Sequence, residues 1–374
     1  MATEYDTGQT PETVDMMLNM GPQHPATHGV FRMVLAVDGE RVVDLVPHIG
    51  YLHRGSEKLM ENETYAQVIT LFDRLDYVSN FNNELAFVRA VEKLMDLEPP
   101  ERAMYIRVIL CELNRVASHL LFAGTYALDI GAMTPVMYTF RERERIQNLF
   151  ESVSGARMMH NYIRIGGIKE ELPDDFVHRT RKLIDELRRG VEETDKLLTF
   201  NEVFLARTRG VGMIDAATAI SCGLTGPGLR ASGSTYDVRK DDPYEIYDRL
   251  DYDVPIGEYG DSWDRYWLRI QECYQSLRMI DQCLDQLEPG PIMPQMRRIA
   301  RPPKGEAYAH CENPRGDIGV FVVSDGTNKP YRVKVRPPSF CNLVALRQMV
   351  QGSYIADAVV VLGSLDIVLG EVDR

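Results

Sequence analysis

A short proline-containing loop carries two histidines. Residues 21–29 have the sequence GPQHPATHG, in which Pro22 and Pro25 exclude a regular helix, so that His24 and His28 are not presented together on one helical face. No cysteine lies nearby to complete a zinc site, which disfavours metal binding. The histidines could anchor the loop, or one could deliver a proton, because imidazole changes charge near neutral pH.

A second polar group lies within a segment of helical periodicity, residues 59–96. Arg74 and Tyr77 are three residues apart, which on a helix places both on one face, and Asp73 and Asp76 surround them with carboxylates. A solvated charged surface would explain this cluster as well as a binding site would. The spacing alone leaves both interpretations open.

The elements that must position these residues are helices flanked by strands. Apolar runs at 33–37 and 41–46 flank Asp38-Gly39, and runs at 318–323 and 331–335 flank a turn at Asp325-Gly326, which predicts two hairpins. Pro99-Pro100-Glu101 opens a pattern that predicts a core helix of about five turns or more. Further helices are predicted at about 136–154, 174–198 and 262–288.

These elements predict a mainly α fold with flanking β structure (α+β). Residues 222–261 are rich in glycine and polar residues and predict a long binding loop, whereas the proline-rich stretch 291–303 predicts a linker. We expect one intertwined domain over 1–374. Its parts are an N-terminal β and loop region (1–55), a helical bundle (56–290) and a C-terminal β region (305–374).

Composition excludes several functions. The net charge of -13 argues against nucleic-acid binding and against direct adhesion to anionic lipid. No apolar run is long enough for a membrane span, and the N-terminus lacks the pattern of a signal peptide, so a cytoplasmic location is expected. The six cysteines are too widely spaced for a Cys-x-x-Cys site, and each is expected to be a small buried apolar side chain.

Two segments are similar to the ligand segments of nickel-iron hydrogenase large subunits, which have the patterns Arg-x-Cys-x-x-Cys and Asp-x-Cys-x-x-Cys. The matching cysteine positions hold Asp76, Ser79, Val368 and Glu371. Soft thiolates hold nickel against competing metals, and valine cannot ligate a metal. We therefore expect no metal in this chain and no hydrogenase activity.

A second resemblance covers the whole chain. Its motifs, in order, are GPQHPATHG at 21–29, PHIGYLHRG at 47–55, RLDY at 74–77, LDIGAMTP at 128–135, YIRIGG at 162–167, LRASG at 229–233, VVSDG at 322–326 and GEVDR at 370–374. Together they resemble the family of D subunits of proton-pumping NADH-quinone oxidoreductase, respiratory complex I. The resemblance implies a hydrogenase large-subunit-like fold that forms, with a smaller iron-sulfur subunit, the pocket in which quinone is reduced.

Residue by residue, the resemblance makes Tyr77 and His28 the hydrogen-bond donors to the quinone carbonyls, with Asp129 behind His28. It places Arg54 and Arg74 beside the terminal iron-sulfur cluster of the partner subunit. Donors at both ends of the ring would stabilise the reduced quinone and supply its protons. A guanidinium near the cluster would stabilise its reduced, more negative form.

The resemblance also implies cofactors, partners and location. The substrate is a quinone, either menaquinone or ubiquinone, and the cluster belongs to the partner, so this chain binds no cofactor by itself. The partners are the small iron-sulfur subunit, other peripheral-arm subunits and membrane-arm subunits at the quinone chamber. The chain would lie on the cytoplasmic face of the cell inner membrane, attached through these partners, and quinone reduction would be coupled to proton translocation.

Two departures from the family pattern stand out. Many relatives have a histidine at the position of Met159, and here His160 follows one residue out of register. We hypothesise that the pH dependence of the cluster potential is weaker, which suggests a low-potential quinone such as menaquinone. The stretch from Pro294 to Gly305 is shorter than in many relatives, which affects peripheral packing.

Three alternatives remain open from the sequence. The chain could be a non-catalytic scaffold that only docks the partner, it could be a nickel-iron hydrogenase after all, or it could be the same subunit in a complex fed by ferredoxin or a deazaflavin. No Gly-x-Gly-x-x-Gly follows a strand, so nicotinamide is not expected to bind here.

Overall fold

The computed structural model describes residues 16–23, 29–296 and 299–374. Three antiparallel strands begin this part of the chain: β1 (Met16–Met20), β2 (Arg32–Asp38) and β3 (Arg41–His48), in the order β1-β2-β3. The register pairs Asp38 with Arg41, so Gly39 and Glu40 form the turn, and Gly39 takes a positive φ that suits glycine. The first predicted hairpin is confirmed.

Helices form most of the middle of the chain, as the periodicity predicts. The structure has α1 (Ser56–Met60), α2 (Tyr65–Phe72), α3 (Asn80–Met95), α4 (Glu101–Asp129), α5 (Thr134–Ser154), α6 (Phe176–Leu198), α7 (Glu202–Thr208), α8 (Ala216–Ser221), α9 (Pro227–Arg230), α10 (Val238–Asp241) and α11 (Ser262–Gln286). The largely buried α4 packs against α5 and α11, and α6 covers both of those helices. The four long predicted helices are confirmed within a few residues.

The continuous helical pattern over 59–96 is wrong, because residues 73–79 form a non-helical turn between α2 and α3. Side chains hold this turn: the Asp76 carboxylate accepts from the Val78 N–H at 3.1 Å, and the Asn80 amide donates to the Asp73 carbonyl at 2.9 Å. Such bonds replace the helical ladder without disturbing the apolar spacing. Arg74 and Tyr77 therefore do not share a helical face.

A second antiparallel sheet follows the linker. It consists of β6 (Gly305–Asn313), β7 (Gly316–Ser324) and β8 (Arg332–Arg336), in that order, and β6 and β7 pack on α3. The chain continues with α12 (Pro338–Asn342), α13 (Leu346–Val350), α14 (Ile355–Leu365) and α15 (Leu369–Asp373). The predicted strands β7 and β8 are confirmed, and so is the mainly α fold with flanking β structure. Between α5 and α6, β4 (Ile163–Arg164) and β5 (Gly167–Ile168) form a short antiparallel pair.

The predicted loop at 222–261 contributes to the core. Its side chains Arg230, Asp237 and Arg239 are buried. Arg230 pairs with Glu272 of α11 at 2.6 Å and with Glu312 of β6 at 2.8 Å. The segment therefore cross-links the helical bundle to the second sheet, which a classification as a surface loop does not anticipate. The described residues of 291–303 lie outside helices and strands, consistent with a linker.

The N-terminal sheet packs on the C-terminal helices. Leu35 of β2 and Leu45 of β3 belong to one buried apolar cluster with Leu346 of α13 and Leu362 of α14. A larger apolar cluster joins the bundle to the second sheet. Segments that are distant in the sequence therefore pack together within the described part of the chain.

Four of the six cysteines are buried, as the sequence predicts. All six cysteines are free; Cys111, Cys273, Cys283 and Cys311 are buried, but Cys222 and Cys341 are partly exposed, so the expectation of full burial is wrong for these two. In the ranges that the structure describes, no helix is both long and apolar enough to cross a membrane.

Candidate functional site

The two segments that resemble hydrogenase ligand segments pack directly against each other. A Cβ on Gly370 would lie 2.5 Å from the Leu75 carbonyl oxygen and 3.0 Å from that of Arg74, so only glycine fits at this position. The same Cβ position is 3.4 Å from Cδ1 of the Tyr77 ring. The C-terminal segment therefore fixes the turn that carries Tyr77.

The four positions that would hold thiolates are all buried. Asp76, Ser79 and Glu371 are 0% exposed and Val368 is 5% exposed. One valine, one hydroxyl and two carboxylates do not form the soft ligand set that nickel requires. Among the described residues no group of three or more metal-binding side chains lies together.

The Arg315 guanidinium supplies a positive charge between the two ligand-like segments. Arg315 lies at the tip of the β6–β7 hairpin, and its Nη1 is 3.2 Å from Oδ2 of Asp76. Its Nη2 is 3.4 Å from Oδ1 of Asp366, in the segment before α15. Arg315 thus joins the two ligand-like segments through charge, and it compensates carboxylates that burial would otherwise make very costly.

Sequence reasoning missed Arg315. It lies in a tight turn, where charged residues are normally solvated, and nothing in the local pattern separates it from an exposed arginine. Its partner Asp76 lies 239 positions away in the chain, so only tertiary structure reveals the pair.

Glu371 keeps its proton at neutral pH. Burial, with the negative charge of Asp76, raises the pKa of Glu371 to about 8. Oε1 of Glu371 accepts a hydrogen bond from the Ser339 N–H at 3.0 Å and another from the Ser339 hydroxyl. The buried group therefore contains Arg315 and ionisable carboxyls of which at least one is neutral.

This raised pKa predicts a pH effect on stability. The folded state retains the Glu371 proton between about pH 4.5, where the unfolded carboxyl titrates, and about pH 8. The unfolded state releases it, so this residue's contribution to stability falls as pH rises through that window. We expect Glu371→Gln to gain thermal stability relative to wild type as the pH is raised from 6 to 8. The measurement is the thermal inactivation midpoint of the purified complex.

The exposed Glu306 on β6 provides a matched control. Glu306→Gln should change the midpoint equally at pH 6 and pH 8. A Glu371→Gln variant whose midpoint also follows that of wild type across this range would contradict a neutral Glu371.

Tyr77 lies at the surface of this buried group. Its side chain is 37% exposed, and burial, followed by the charge of Asp76, raises the pKa of the phenol. The hydroxyl therefore keeps its proton at neutral pH and can donate a hydrogen bond to a ligand.

Asp129 and His28 are the other two residues of the predicted quinone site. Asp129 ends α4 and is partly buried against α14, where a Cβ on Gly363 would lie 3.2 Å from Oδ2 of Asp129. His28 lies outside the described residues. Tyr77 and Asp129 thus both border the C-terminal segment, Tyr77 at α15 and Asp129 at α14.

Arg54 and Arg74 are neighbours in the structure. Nη2 of Arg54 donates to the Arg74 carbonyl at 3.0 Å. Both side chains belong to exposed residues, and neither forms an ion pair within the ranges that the structure describes. Two exposed guanidinium groups can interact with an anionic group on a neighbouring protein.

The loop with Arg54 is held by Asp373. The two carboxylate oxygens of Asp373 accept from the N–H groups of Gly50 at 2.7 Å and Leu52 at 2.6 Å. The Asp373 carbonyl is 2.7 Å from Nδ1 of His53. The C-terminal segment therefore positions both the Tyr77 turn and the Arg54 loop.

The Met159 sulfur lies beside Asn80 at the start of α3, whereas the next residue, His160, is buried in the core. The two side chains point in different directions, as the offset of one residue predicts. Nδ2 of Asn80 lies 3.4 Å from the Met159 sulfur. The His160 ring stacks on Phe81 with centroids 4.3 Å apart, and burial lowers its pKa to about 4. His160 therefore cannot replace a titrating histidine at position 159.

Comparison with known proteins identifies the family. A family model described as "Respiratory-chain NADH dehydrogenase, 49 Kd subunit" matches residues 129–303 and 296–374. A protein from Desulforamulus reducens is 52% identical over 97% of this chain and 100% of its own length. Relatives from Dehalococcoides mccartyi (50% identical, 97% and 99% covered) and Bacillus mycoides (49% identical, 96% and 99% covered) match similarly; all three are named as the D subunit of an NADH-quinone oxidoreductase.

These matches define a subunit of an oxidoreductase complex that functions in electron transport. The chain belongs to the family of the 49 kDa subunit of respiratory-chain NADH dehydrogenase, which is the D subunit of the bacterial enzymes. The resemblance inferred from the sequence motifs is confirmed.

Proposed function

We propose that this chain forms the quinone-reducing site of a complex I type enzyme, together with a small iron-sulfur subunit. The observation that carries the proposal is the placement of Tyr77. Its half-exposed phenol is fixed against Gly370 and lies over the buried pair of Asp76 and Arg315. A protonated phenol held rigidly at a surface is suited to donate a hydrogen bond to a quinone carbonyl.

The chemistry requires donors that release protons only after reduction. The quinone oxygens gain negative charge as electrons arrive one at a time, and preorganised donors stabilise that charge. The raised pKa of Tyr77 keeps its proton on the phenol until the ring is reduced. His28 would serve the opposite carbonyl, and Asp129 would fix its tautomer and favour its protonated form. Quinone reduction by the assembled complex with Tyr77→Phe is the direct test.

Arg54 and Arg74 would face the partner's terminal cluster. We expect Arg74→Met to lower the cluster potential on the order of tens of millivolts, since about 59 mV corresponds to a tenfold change for a one-electron couple. A guanidinium lost near the cluster destabilises its reduced form. Redox titration of the cluster signal measures the shift; Arg249→Met, which removes an exposed arginine paired with Glu101, should leave the potential unchanged. An unchanged potential in Arg74→Met would remove Arg74 from the cluster environment.

Met159 predicts a weak pH dependence of the cluster potential. The neighbouring His160 is buried with a lowered pKa, so no histidine titrates at this position. We expect Met159→His to steepen the pH slope of the potential, because cluster reduction would then favour protonation of the new imidazole. Redox titrations of both forms at several pH values measure this. A wild-type slope as steep as that of Met159→His would contradict the prediction and the suggested preference for menaquinone.

The proposed enzyme takes electrons from NADH through other subunits, as the names of the relatives suggest. Deprotonated Tyr77 and His28 would leave negative charge in a pocket of low dielectric, and this charge would drive proton movement in the membrane arm. The chain would be attached to the cytoplasmic face of the membrane through its partners. Co-purification tests the donor: an NADH-oxidising flavoprotein should accompany this chain, whereas a ferredoxin or deazaflavin module would support the alternative.

A further inference from the structure

Two buried carboxyls behind Arg74 take no part in the proposed quinone chemistry. Asp73 begins the turn that carries Tyr77 and is 1% exposed, and Glu84 lies on α3 and is 0% exposed. The two carboxyls are within hydrogen-bonding reach of each other. Burial and close approach of two carboxyls both favour a shared proton over two ionised groups.

The hydrogen bonds around the pair are incomplete in a specific way. Oε2 of Glu84 accepts from the N–H groups of Tyr162 at 2.9 Å and Ile163 at 2.6 Å. Oε1 of Glu84 and both carboxylate oxygens of Asp73 are buried, and no donor among the described residues meets them with hydrogen-bond geometry, although the Asn161 N–H faces Asp73. Buried polar atoms are normally satisfied, so three orphaned acceptors in one place require an explanation.

One proton accounts for two of these three acceptors. A hydrogen between the two carboxyls gives one orphaned oxygen a covalent proton and another a short, charge-assisted donor. Burial and the facing Asp73 raise the pKa of Glu84 well above its ordinary value, and burial raises the pKa of Asp73. The guanidinium groups of Arg74 and Arg164 face the pair and favour retention of one negative charge.

We propose that Asp73 and Glu84 hold one proton between them and form a buried proton-binding site with a single negative charge behind Arg74. This site lies next to Met159, because Asn80 bonds both the Asp73 carbonyl and the Met159 sulfur. The effect of its charge on the partner's cluster rests on the proposed function. The shared proton itself does not.

Infrared spectroscopy of the purified complex tests the shared proton. A protonated buried carboxyl has a carbonyl stretch that shifts in D₂O. Because Glu371 also keeps its proton, the readout is the difference spectrum between wild type and each variant, in which we expect the same component to be lost in Asp73→Asn and in Glu84→Gln. Asp96→Asn is the matched control, since Asp96 is an exposed carboxyl at the end of α3 and its backbone conformation suits asparagine. Difference spectra in which neither variant loses a component, because both groups are ionised or hold a metal cation instead, would overturn the proposal.

Charge counting provides the second readout. With one shared proton, Asp73→Asn leaves the net charge at minus one, and only the double variant Asp73→Asn, Glu84→Gln makes the pair neutral. We therefore expect the cluster potential to stay constant in the single variant and to rise in the double variant, which keeps the shape of both side chains. Equal rises at both steps would mean that two negative charges were present, which contradicts the proposal.

The two readouts separate this inference from the proposed function. If the infrared difference spectra behave as expected but the double variant does not move the potential, the shared proton is supported and the placement of the cluster beside Arg74 is contradicted. If a single variant fails to assemble, the difference spectrum between wild type and the neutral double variant still decides the outcome.

Discussion

Replacing Tyr77 by phenylalanine should abolish most quinone reduction while leaving the cluster reducible. The substitution removes one hydroxyl from a ring that already packs against Gly370, so the turn should keep its shape. Loss of a positioned proton donor typically costs roughly 100- to 10,000-fold in rate. The measurement is NADH-driven quinone reduction by the purified complex, with cluster reduction followed separately by its paramagnetic signal.

The control is Tyr331→Phe, which removes the hydroxyl of a tyrosine that is 68% exposed beside β8. It should reduce quinone at the wild-type rate. A non-catalytic scaffold predicts a different pattern, in which Tyr77→Phe and Asp129→Asn both retain normal quinone reduction. That result, in complexes with an intact cluster signal, would remove Tyr77 from the chemistry and leave the chain a docking function only.

Replacing Arg315 should have the largest effect on stability. Arg315→Met leaves Asp76 buried without its cation, whereas Asp366 keeps Arg269 at 3.6 Å. Removal of one partner from a buried ion pair typically costs about 3–5 kcal/mol. We expect little assembled complex at the normal growth temperature. The measurement is the amount of this subunit in purified complexes and its unfolding temperature.

Two further variants test the cause. Arg347→Met breaks an exposed pair with Asp44 and should change the unfolding temperature little, because solvent screens such pairs. The double variant Asp76→Asn, Arg315→Met removes one buried charge of each sign and should recover part of the lost stability. If the double variant is no more stable than Arg315→Met, then uncompensated charge is not the reason for the loss.

Local patterns predict the elements of this fold well. The 2-residue alternation around Asp38-Gly39 and the apolar spacing after Glu101 identify β2, β3 and α4, because these elements form from neighbouring residues. The turn at 73–79 escapes the same method, since its apolar spacing continues while side-chain hydrogen bonds from Asp76 and Asn80 replace the helical ladder. The spacing of apolar residues alone cannot show that side-chain hydrogen bonds have replaced the helical backbone bonds.

The sequence likewise predicts some residues of the site and not others. The motif resemblance selects Tyr77, Arg54 and Arg74, and the structure places the two arginines in contact. Arg315 and Glu84 escape sequence reasoning, because their significance comes from carboxyls that are distant in the chain or on another element. Burial decides what these charges do, and burial is a property of the assembled chain.

The buried ion pairs of Arg230 with Glu272 and Glu312 have a consequence for the order in which the chain folds. Its partners Glu272 and Glu312 come 42 and 82 positions later, so during synthesis this guanidinium must stay hydrated until α11 and β6 have both emerged. Closing such large loops is slow and favours late, cooperative consolidation. Fragments that end before residue 312 should therefore remain loosely structured around 222–261, with increased sensitivity to proteases there.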